Sequence, residues 1–121
     1  MEVTARTRRE LGETGERLAE RYLTDRGMVL VERNWRCPEG EVDLVLTDGD
    51  ALVICEVKTR TSLAFGQPVE AITRAKLLRL RRLAARWARE HPGHGRLRLD
   101  VVGLLEHPDG TFAVTHLEGV G

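Results

Sequence analysis

The stretch GEVDLVLTDGDALVICEVKT, residues 40–59, decides the fold of this 121-residue chain. Alternation from Glu41 to Leu46 predicts a strand, and Asp48-Gly49-Asp50 is typical of a tight hairpin turn. The run from Ala51 to Thr59 predicts the partner strand, with Glu56 and Lys58 on one of its faces. Strict alternation in the first strand predicts two faces, one with Glu41, Asp43 and Val45 and the other with Val42, Leu44 and Leu46.

Asp43, Glu56 and Lys58 place two carboxylates and an ammonium in strands whose other residues are apolar. Burying such groups is costly unless they pair with one another or hold a metal ion. The three residues therefore form either a structural ion-pair network at a sheet edge or a site. We favour a site able to hold a metal ion.

Outside this stretch, two helices and three further strands are predicted. Thr7 and Glu10 have the spacing of a capping box, which predicts a helix to Arg26 that ends at Gly27. Gly12, Gly15 and Ala19 are small, so we expect this helix to approach a sheet closely. A second helix is predicted from Val69 to Glu90, with one apolar and one arginine-rich face. The remaining strands are predicted at Met28–Arg36, Leu97–Leu105 and Thr111–Leu117.

In the second helix, the apolar stripe and the arginine face are predicted to lie opposite each other. The stripe is Leu77, Leu80, Ala84, Trp87 and Ala88, and the arginines are Arg74, Arg81, Arg82, Arg86 and Arg89. The arginine face is either a solvated surface or a set of phosphate contacts.

The composition indicates a globular chain of a single domain, residues 1–121, with residues 1–9 as a flexible N-terminal arm. Apolar residues make up 41% and charged residues 31%, and the longest apolar run, Ala51–Cys55, is far too short for a membrane span. With no secretory signal, we expect a cytoplasmic protein that does not bind membranes. Cys37 and Cys55 are expected to be free thiols.

The net charge of zero conceals two halves of opposite sign. Residues 58–98 carry eleven Lys/Arg and two Glu, a net of +9, and the remainder has a net of −9. A basic segment of this kind favours a polyanionic partner. Asp100, in an apolar strand, is expected to pair with an arginine rather than to bind metal, and the four histidines are assigned no chemistry.

An ordered set of motifs points to a family. They are Gly12-Glu13-x-Gly15-Glu16, Arg33-Asn34, Gly40-Glu41-Val42-Asp43-Leu44, Glu56-Val57-Lys58-x-Arg60, Phe65-Gly66, Lys76 and Asp100-Val101-Val102. The chain resembles the PD-(D/E)xK nuclease superfamily, and more closely the YraN family of uncharacterised, predicted endonuclease-like proteins. The resemblance implies an α/β, restriction-endonuclease-like fold. Its αβββαβ core would hold a mixed central sheet of about five strands flanked by two helices.

The resemblance also implies phosphodiester hydrolysis assisted by Mg²⁺ or Mn²⁺. Asp43, Glu56 and the Val57 carbonyl would be metal ligands, since Mg²⁺ prefers hard oxygen donors. Lys58 would orient water or stabilise phosphate charge, and Glu16 would complete the acidic set. Two further residues have open roles: Glu41 either reaches the metal or faces solvent, and Gln67 either contacts phosphate or has no role.

Nucleic acid, DNA in preference to RNA, is the expected partner, with Arg60, Lys76 and Arg74 as contacts. The substrate could be linear or branched, and a homodimer would pair two sites, as related resolvases do. Two other functions stay open. One is a nucleic-acid-binding protein that keeps the nuclease fold without cutting. The other is an interaction protein whose polar cluster serves only the fold.

Overall fold

The computed structural model describes residues 7–64 and 66–121. Two α-helices and five β-strands follow one another in the predicted order, and a 3-10 helix at Pro68–Ala71 precedes the second helix. The elements are α1 (Arg8–Asp25), β1 (Val29–Cys37), β2 (Gly40–Asp48), β3 (Ala51–Arg60), α2 (Arg74–Glu90), β4 (Arg96–Glu106) and β5 (Phe112–Leu117). The predicted α/β class and element order are confirmed.

The five strands form one mixed sheet in the order β1-β2-β3-β4-β5. Neighbouring strands are antiparallel except for β3 and β4, which are parallel. Parallel neighbours need a crossover connection, and α2 supplies it between β3 and β4. The mixed sheet of about five strands flanked by two helices is therefore as predicted.

Each face of the sheet carries one helix and one hydrophobic core. On one face, Ala19 and Leu23 of α1 pack with Leu44, Val53 and other strand residues. On the other face, α2 buries its apolar stripe against residues that include Val45 and Ile54. The buried stripe is Leu80, Leu83, Ala84 and Trp87, so Leu83 replaces the predicted Leu77 as a core residue.

The close approach of α1 to the sheet depends on Gly15. This residue is buried, and a Cβ atom there would overlap the Thr59 hydroxyl of β3. Gly12, one turn earlier, has no atom of the described elements around α1 within 4 Å of the place where its Cβ would be. Gly15 therefore confirms the expected close packing, whereas Gly12 does not take part in it.

The predicted continuous helix from Val69 to Glu90 is wrong at its start. The 3-10 turn ends at Ala71, and Ile72 and Thr73 are extended before α2 begins. The Thr73 hydroxyl accepts a hydrogen bond from the Lys76 amide, the N-cap arrangement that threonine favours at a helix start.

The Thr7–Glu10 capping box is confirmed, with both reciprocal hydrogen bonds present. Of the predicted flexible arm, residues 1–6 lie outside the described residues, and Arg8 and Arg9 form the first turn of α1. Phe65 of the Phe65-Gly66 motif also lies outside them. Neither described α-helix is both long enough and apolar enough to cross a bilayer.

The predicted strict alternation of β2 is wrong at Val42. Leu44 and Leu46 pack on the α1 face, as a shared face requires, but Val42 lies with Val45 in the core on the α2 face. The interruption falls at Asp43, which lies between the pairs Arg33↔Leu44 and Trp35↔Val42, opposite Asn34. Asn34 has a φ of 51°, and such a departure from extended geometry re-aims neighbouring side chains.

Candidate metal centre

The candidate site lies where β2 and β3 separate. Their pairing runs from Asp48↔Ala51 to Leu44↔Cys55, while β3 continues beside β4 as far as Arg60↔Leu105. The β3 edge beyond Cys55 thus leaves the ladder with β2. A backbone amide released in this way needs another acceptor, and the Val57 N–H donates to Asp43 Oδ2 over 2.8 Å.

Asp43 is held largely out of water beside a second carboxyl. Burial raises its pKa to about 8, helped by the charge of Glu56 and a hydrogen bond between the two carboxyl groups, against the opposing effect of the Val57 amide. Two carboxylates this close cannot both ionise without a compensating positive charge. The pair therefore shares a proton at neutral pH unless a cation replaces it.

Glu56 and Lys58 extend from β3 into the same region, as their shared face predicts. Lys58 Nζ lies 4.0 Å from Glu56 Oε1, and the two side chains are only 26% and 17% exposed. One ammonium at this distance offsets part of the negative charge but leaves a surplus of carboxylates. The two acids and the lysine named from the sequence are thus brought together by the fold.

Glu16 and Glu41 enlarge the acidic group. One carboxylate oxygen from each of Glu16, Glu41 and Asp43 lies within 4.8 Å of the others. Burial raises the pKa of Glu16, reinforced by the charge of Glu41 and partly offset by a hydrogen bond from Asn34. Of the two roles considered for Glu41, this geometry favours the one near the metal, although its carboxylate also pairs with Arg36 over 3.2 Å.

Asn34 joins these carboxylates, although from the sequence it was named only as part of a family motif. In the amide orientation that satisfies its hydrogen bonds, its nitrogen donates to Glu16 Oε2 over 3.1 Å and to Glu41 Oε1 over 3.3 Å. The positive φ of Asn34 aims the side chain toward them, which no periodicity could indicate. Only asparagine's known tolerance of that conformation was available as a signal.

The donor set fits Mg²⁺ or Mn²⁺. It consists of carboxylate oxygens, the hard ligands that these ions prefer, and cysteine and histidine are absent from this described group. Asp43, with Glu16 and Glu41, supplies oxygens close enough to act together, and Glu56 contacts Asp43. The backbone N–H of Val57 contacts Asp43, and a role of the Val57 carbonyl as a metal ligand stays a prediction.

Two adjoining clefts border the acidic group through Glu16 and Glu41, whereas Asp43 and Glu56 are not among the described residues that line them. One, of about 790 Å³, is lined on one side by Arg9, Arg36 and Glu41. The other, of about 550 Å³, is lined by Lys58, Arg60 and nearby hydroxyl groups. Arg8, Gly12 and Glu16 of α1 line both clefts.

The basic residues named from the sequence are not grouped together. Arg60 lines the cleft beside Lys58 and donates to the Thr59 carbonyl over 3.0 Å. Lys76 instead donates to the Ala71 carbonyl over 3.1 Å, at the start of α2. Arg74 is exposed in the first turn of α2, and neither of these two belongs to the lining of the clefts described above.

Other candidate residues have structural partners. The backbone N–H of the exposed Gln67 donates to the Glu70 carboxylate, so the visible role of Gln67 is to start the 3-10 helix. Within the arginine face, Arg86 pairs with Glu39 and Glu90, which occupies it locally. Arg8 and Arg36, which the sequence did not single out, line the cleft that Glu16 and Glu41 border, and Arg36 pairs with Glu41.

Asp100 belongs to a second polar cluster and is fully buried. Arg98 donates two hydrogen bonds to it, which confirms the expected arginine partner, and Gly119 N and His116 Nε2 also contact it. Burial raises the pKa of Asp100, but these hydrogen bonds outweigh burial and hold the pKa below its ordinary value. His116 was assigned no chemistry, and its role here is to satisfy a buried carboxylate.

Comparison with known proteins gives a consistent set of relatives. The family model described as "Uncharacterised protein family UPF0102" matches residues 15–104. A UPF0102 protein of Beutenbergia cavernae is 58% identical over 117 residues, covering 96% of this chain and 99% of the relative. UPF0102 proteins of Nocardioides sp. and Arthrobacter sp. are 52% and 55% identical, covering 98% and 92% of this chain and 97% and 95% of theirs.

Proposed function

This chain belongs to the uncharacterised protein family UPF0102, which is the YraN family that its motifs resemble, and from that premise we propose that it is a metal-dependent endonuclease acting on DNA. The observation that carries the proposal is the crowding of carboxylates around Asp43, whose burial beside Glu56 raises its pKa to about 8. A divalent cation would relieve this crowding, as a shared proton otherwise does.

Each residue of the centre has a proposed task. Asp43 and Glu56, with Glu16 and Glu41 beside them, would hold Mg²⁺ or Mn²⁺ through their carboxylate oxygens, and the Val57 carbonyl would add a further oxygen. The bound ion supplies Lewis acidity and a water of lowered pKa. The Val57 N–H fixes the orientation of the Asp43 carboxylate, since it donates to Oδ2 over 2.8 Å.

Lys58 is the proposed electrostatic catalyst. Its ammonium lies 4.0 Å from Glu56 Oε1 and its side chain is 26% exposed, so the residue is both positioned by the acidic group and open to a substrate. A positive charge preorganised here would stabilise the negative charge that builds up on the phosphate in the transition state. Arg60, which lines the same cleft, would contact an adjacent phosphate.

The test separates metal binding from cleavage. Mn²⁺ titration calorimetry on the wild type, Asp43→Asn and Glu56→Gln should show binding that is lost in the two variants. Lys58→Met should keep Mn²⁺ binding yet fail to cut a panel of single-stranded, duplex, flap and four-way-junction DNA in Mg²⁺. Equal Mn²⁺ binding by the wild type and Asp43→Asn would overturn the proposed metal centre. Metal binding with no cleavage of any substrate would instead support the non-cutting, nucleic-acid-binding alternative.

The same proposal includes a cellular location and an oligomeric state. A DNA-cutting protein of this kind would act in the cytoplasm, and cutting both strands of a duplex or branched substrate would be served by a homodimer with two such centres. Sedimentation velocity of the purified chain measures the second expectation directly. Of the large apolar side chains that could form such an interface, Leu78 is 50% exposed, whereas Trp35 is buried in the core on the α2 face.

A further inference from the structure

The first two turns of α1 lie between the two clefts, and basic side chains line both of them. Arg9 and Arg36 lie on one side, Lys58 and Arg60 lie on the other, and Arg8 borders both clefts. Glu16 of the acidic group also borders both clefts. A molecule that passed from one cleft to the other would therefore pass Glu16, whose carboxylate belongs to the same group as that of Asp43.

Gly12 lies where the two clefts meet. It lines both of them, and among the described residues no neighbouring side chain or strand lies within 4 Å of the place that its Cβ would occupy. A glycine inside a helix destabilises that helix relative to alanine. Close packing explains this cost at Gly15 but not at Gly12, because only Gly15 is pressed against β3.

The basic residues of the groove are able to exchange their partners. Arg36 pairs with Glu41 over 3.2 Å and Arg9 with Glu13 over 3.3 Å, and these arginine side chains are 77% and 88% exposed. Exposed ion pairs contribute little to stability, so a polyanion can displace the glutamates at small cost. Arg60 makes a hydrogen bond to a backbone carbonyl, which leaves its charge uncompensated by that contact.

We propose that the two clefts form one continuous groove for a DNA strand, which crosses the α1 N-terminal turns at Gly12 and contacts Arg8 and Arg36 on one side and Arg60 on the other. This inference rests on the proposed function, and it extends it by adding Arg8, Arg36 and Gly12 as substrate-binding positions. The strand is held through its phosphodiester backbone, since five basic side chains line the described groove against three glutamates, and aromatic platforms are absent from that described lining. The α2 arginine face is then a solvated surface.

Substitutions of graded size at Gly12 test the groove. Fluorescence anisotropy with labelled duplex and four-way-junction DNA, in Ca²⁺, measures affinity for wild type, Gly12→Ala and Gly12→Phe. We expect at least a tenfold loss with Gly12→Phe and a loss below threefold with Gly12→Ala. Ala113→Phe, at an exposed position of β5, is the matched control and should bind within twofold of wild type. Wild-type affinity in a folded Gly12→Phe protein would overturn the groove.

Salt dependence gives a second test that does not depend on a bulky side chain. Each phosphate contact removed should reduce the slope of log K against log salt by about 0.9. Arg8→Gln and Arg60→Gln should each show this reduction, whereas Arg89→Gln, exposed at the end of α2, should not. A reduced slope in Arg89→Gln with unchanged slopes in the other two would overturn the proposal in favour of the α2 face.

The outcomes distinguish this inference from the proposed function. If wild type binds Mn²⁺ and cuts DNA while Gly12→Phe does so equally well, the groove is wrong and the metal centre stands. If Mn²⁺ binding does not depend on Asp43 while DNA binding depends on Gly12, the metal centre is wrong and the groove stands. A wild type that binds no DNA overturns both, and tighter binding of RNA than of matched DNA overturns the assignment of the groove to DNA.

Discussion

Asp43→Asn should make the metal-free protein more stable at alkaline pH. Burial and the neighbouring Glu56 raise the pKa of Asp43 from 3.8 to about 8. Between these values the folded chain holds a proton that the unfolded chain releases, so the free energy of unfolding falls as pH rises. An asparagine resembles the protonated carboxyl, because its oxygen can still accept from the Val57 N–H and its nitrogen can donate to Glu56.

The size of the effect follows from the linkage slope. One extra bound proton corresponds to about 1.4 kcal/mol per pH unit, so the wild type should lose at most about 3 kcal/mol between pH 5.5 and pH 8. The raised pKa of Glu16 acts in the same direction in both proteins, so the difference between them isolates Asp43. We expect the stabilities of the two proteins to converge as pH falls toward 3.8, and the variant to be more stable at pH 5.5 by a margin that widens up to pH 8.

Urea unfolding in EDTA at half-unit pH steps, followed by tryptophan fluorescence, measures this difference. Asp50→Asn, at an exposed carboxylate in the β2–β3 turn, is the matched control and should follow the wild type. Adding Mn²⁺ at one hundred times its Kd should restore about 2.7 kcal/mol to the wild type at pH 8 but little to Asp43→Asn. Stability curves for wild type and Asp43→Asn that run parallel from pH 5.5 to pH 8.5 would refute the reasoning.

Three further predictions concern the fold. Gly15→Ala should lower the free energy of unfolding by about 1–3 kcal/mol through overpacking. Gly12→Ala should instead raise the free energy of unfolding by about 0.5–1 kcal/mol. Equal effects of the two substitutions in urea titration would contradict this. Asp100→Asn should destabilise the fold by about 3–5 kcal/mol because it weakens a buried ion pair. In the wild type the pKa of Asp100 is lowered, so the stability that this carboxylate contributes is lost only as pH falls below the ordinary carboxyl pKa of 3.8. A series of thermal scans from pH 2.5 to pH 6 measures the effect of the mutation and the pH dependence. Burial raises the pKa of Cys55 well above its ordinary value, so a thiol reagent should label one cysteine per folded chain, Cys37, and two after unfolding; labelling of Cys55 in the folded state would count against the structure.

Much of the fold could be predicted because it depends on local rules. A capping box at Thr7 defines the start of α1, and Asp48-Gly49-Asp50 defines the β2–β3 turn, since both involve contacts between residues close in sequence. The face shared by Glu56 and Lys58 likewise follows from the strand period alone. These local patterns alone predict that the two acids and the lysine lie in one region.

The remaining features depend on contacts between distant parts of the chain. Val42 changes face in the part of β2 that lies opposite Asn34, whose φ is 51°, and an argument from period two assumes that no such interruption occurs. The Asn34 amide joins Glu16 to Glu41 across three elements, which no spacing in the sequence indicates. Similarly, Arg86 is occupied by Glu39 from the β1–β2 turn, so an arginine in a basic face is not necessarily available to phosphate.

The parallel pairing of β3 with β4 has a consequence for how the chain folds. Strands β1 to β3 form an antiparallel meander with short turns, whereas β3, the parallel partner of β4, is separated from it by the whole of α2. Contacts between distant residues form late, because the loop must close before they stabilise anything. We therefore expect Leu46→Ala in β2 to slow refolding and Leu104→Ala in β4 mainly to speed unfolding in stopped-flow chevrons. Slower refolding of Leu104→Ala than of Leu46→Ala would reverse this order.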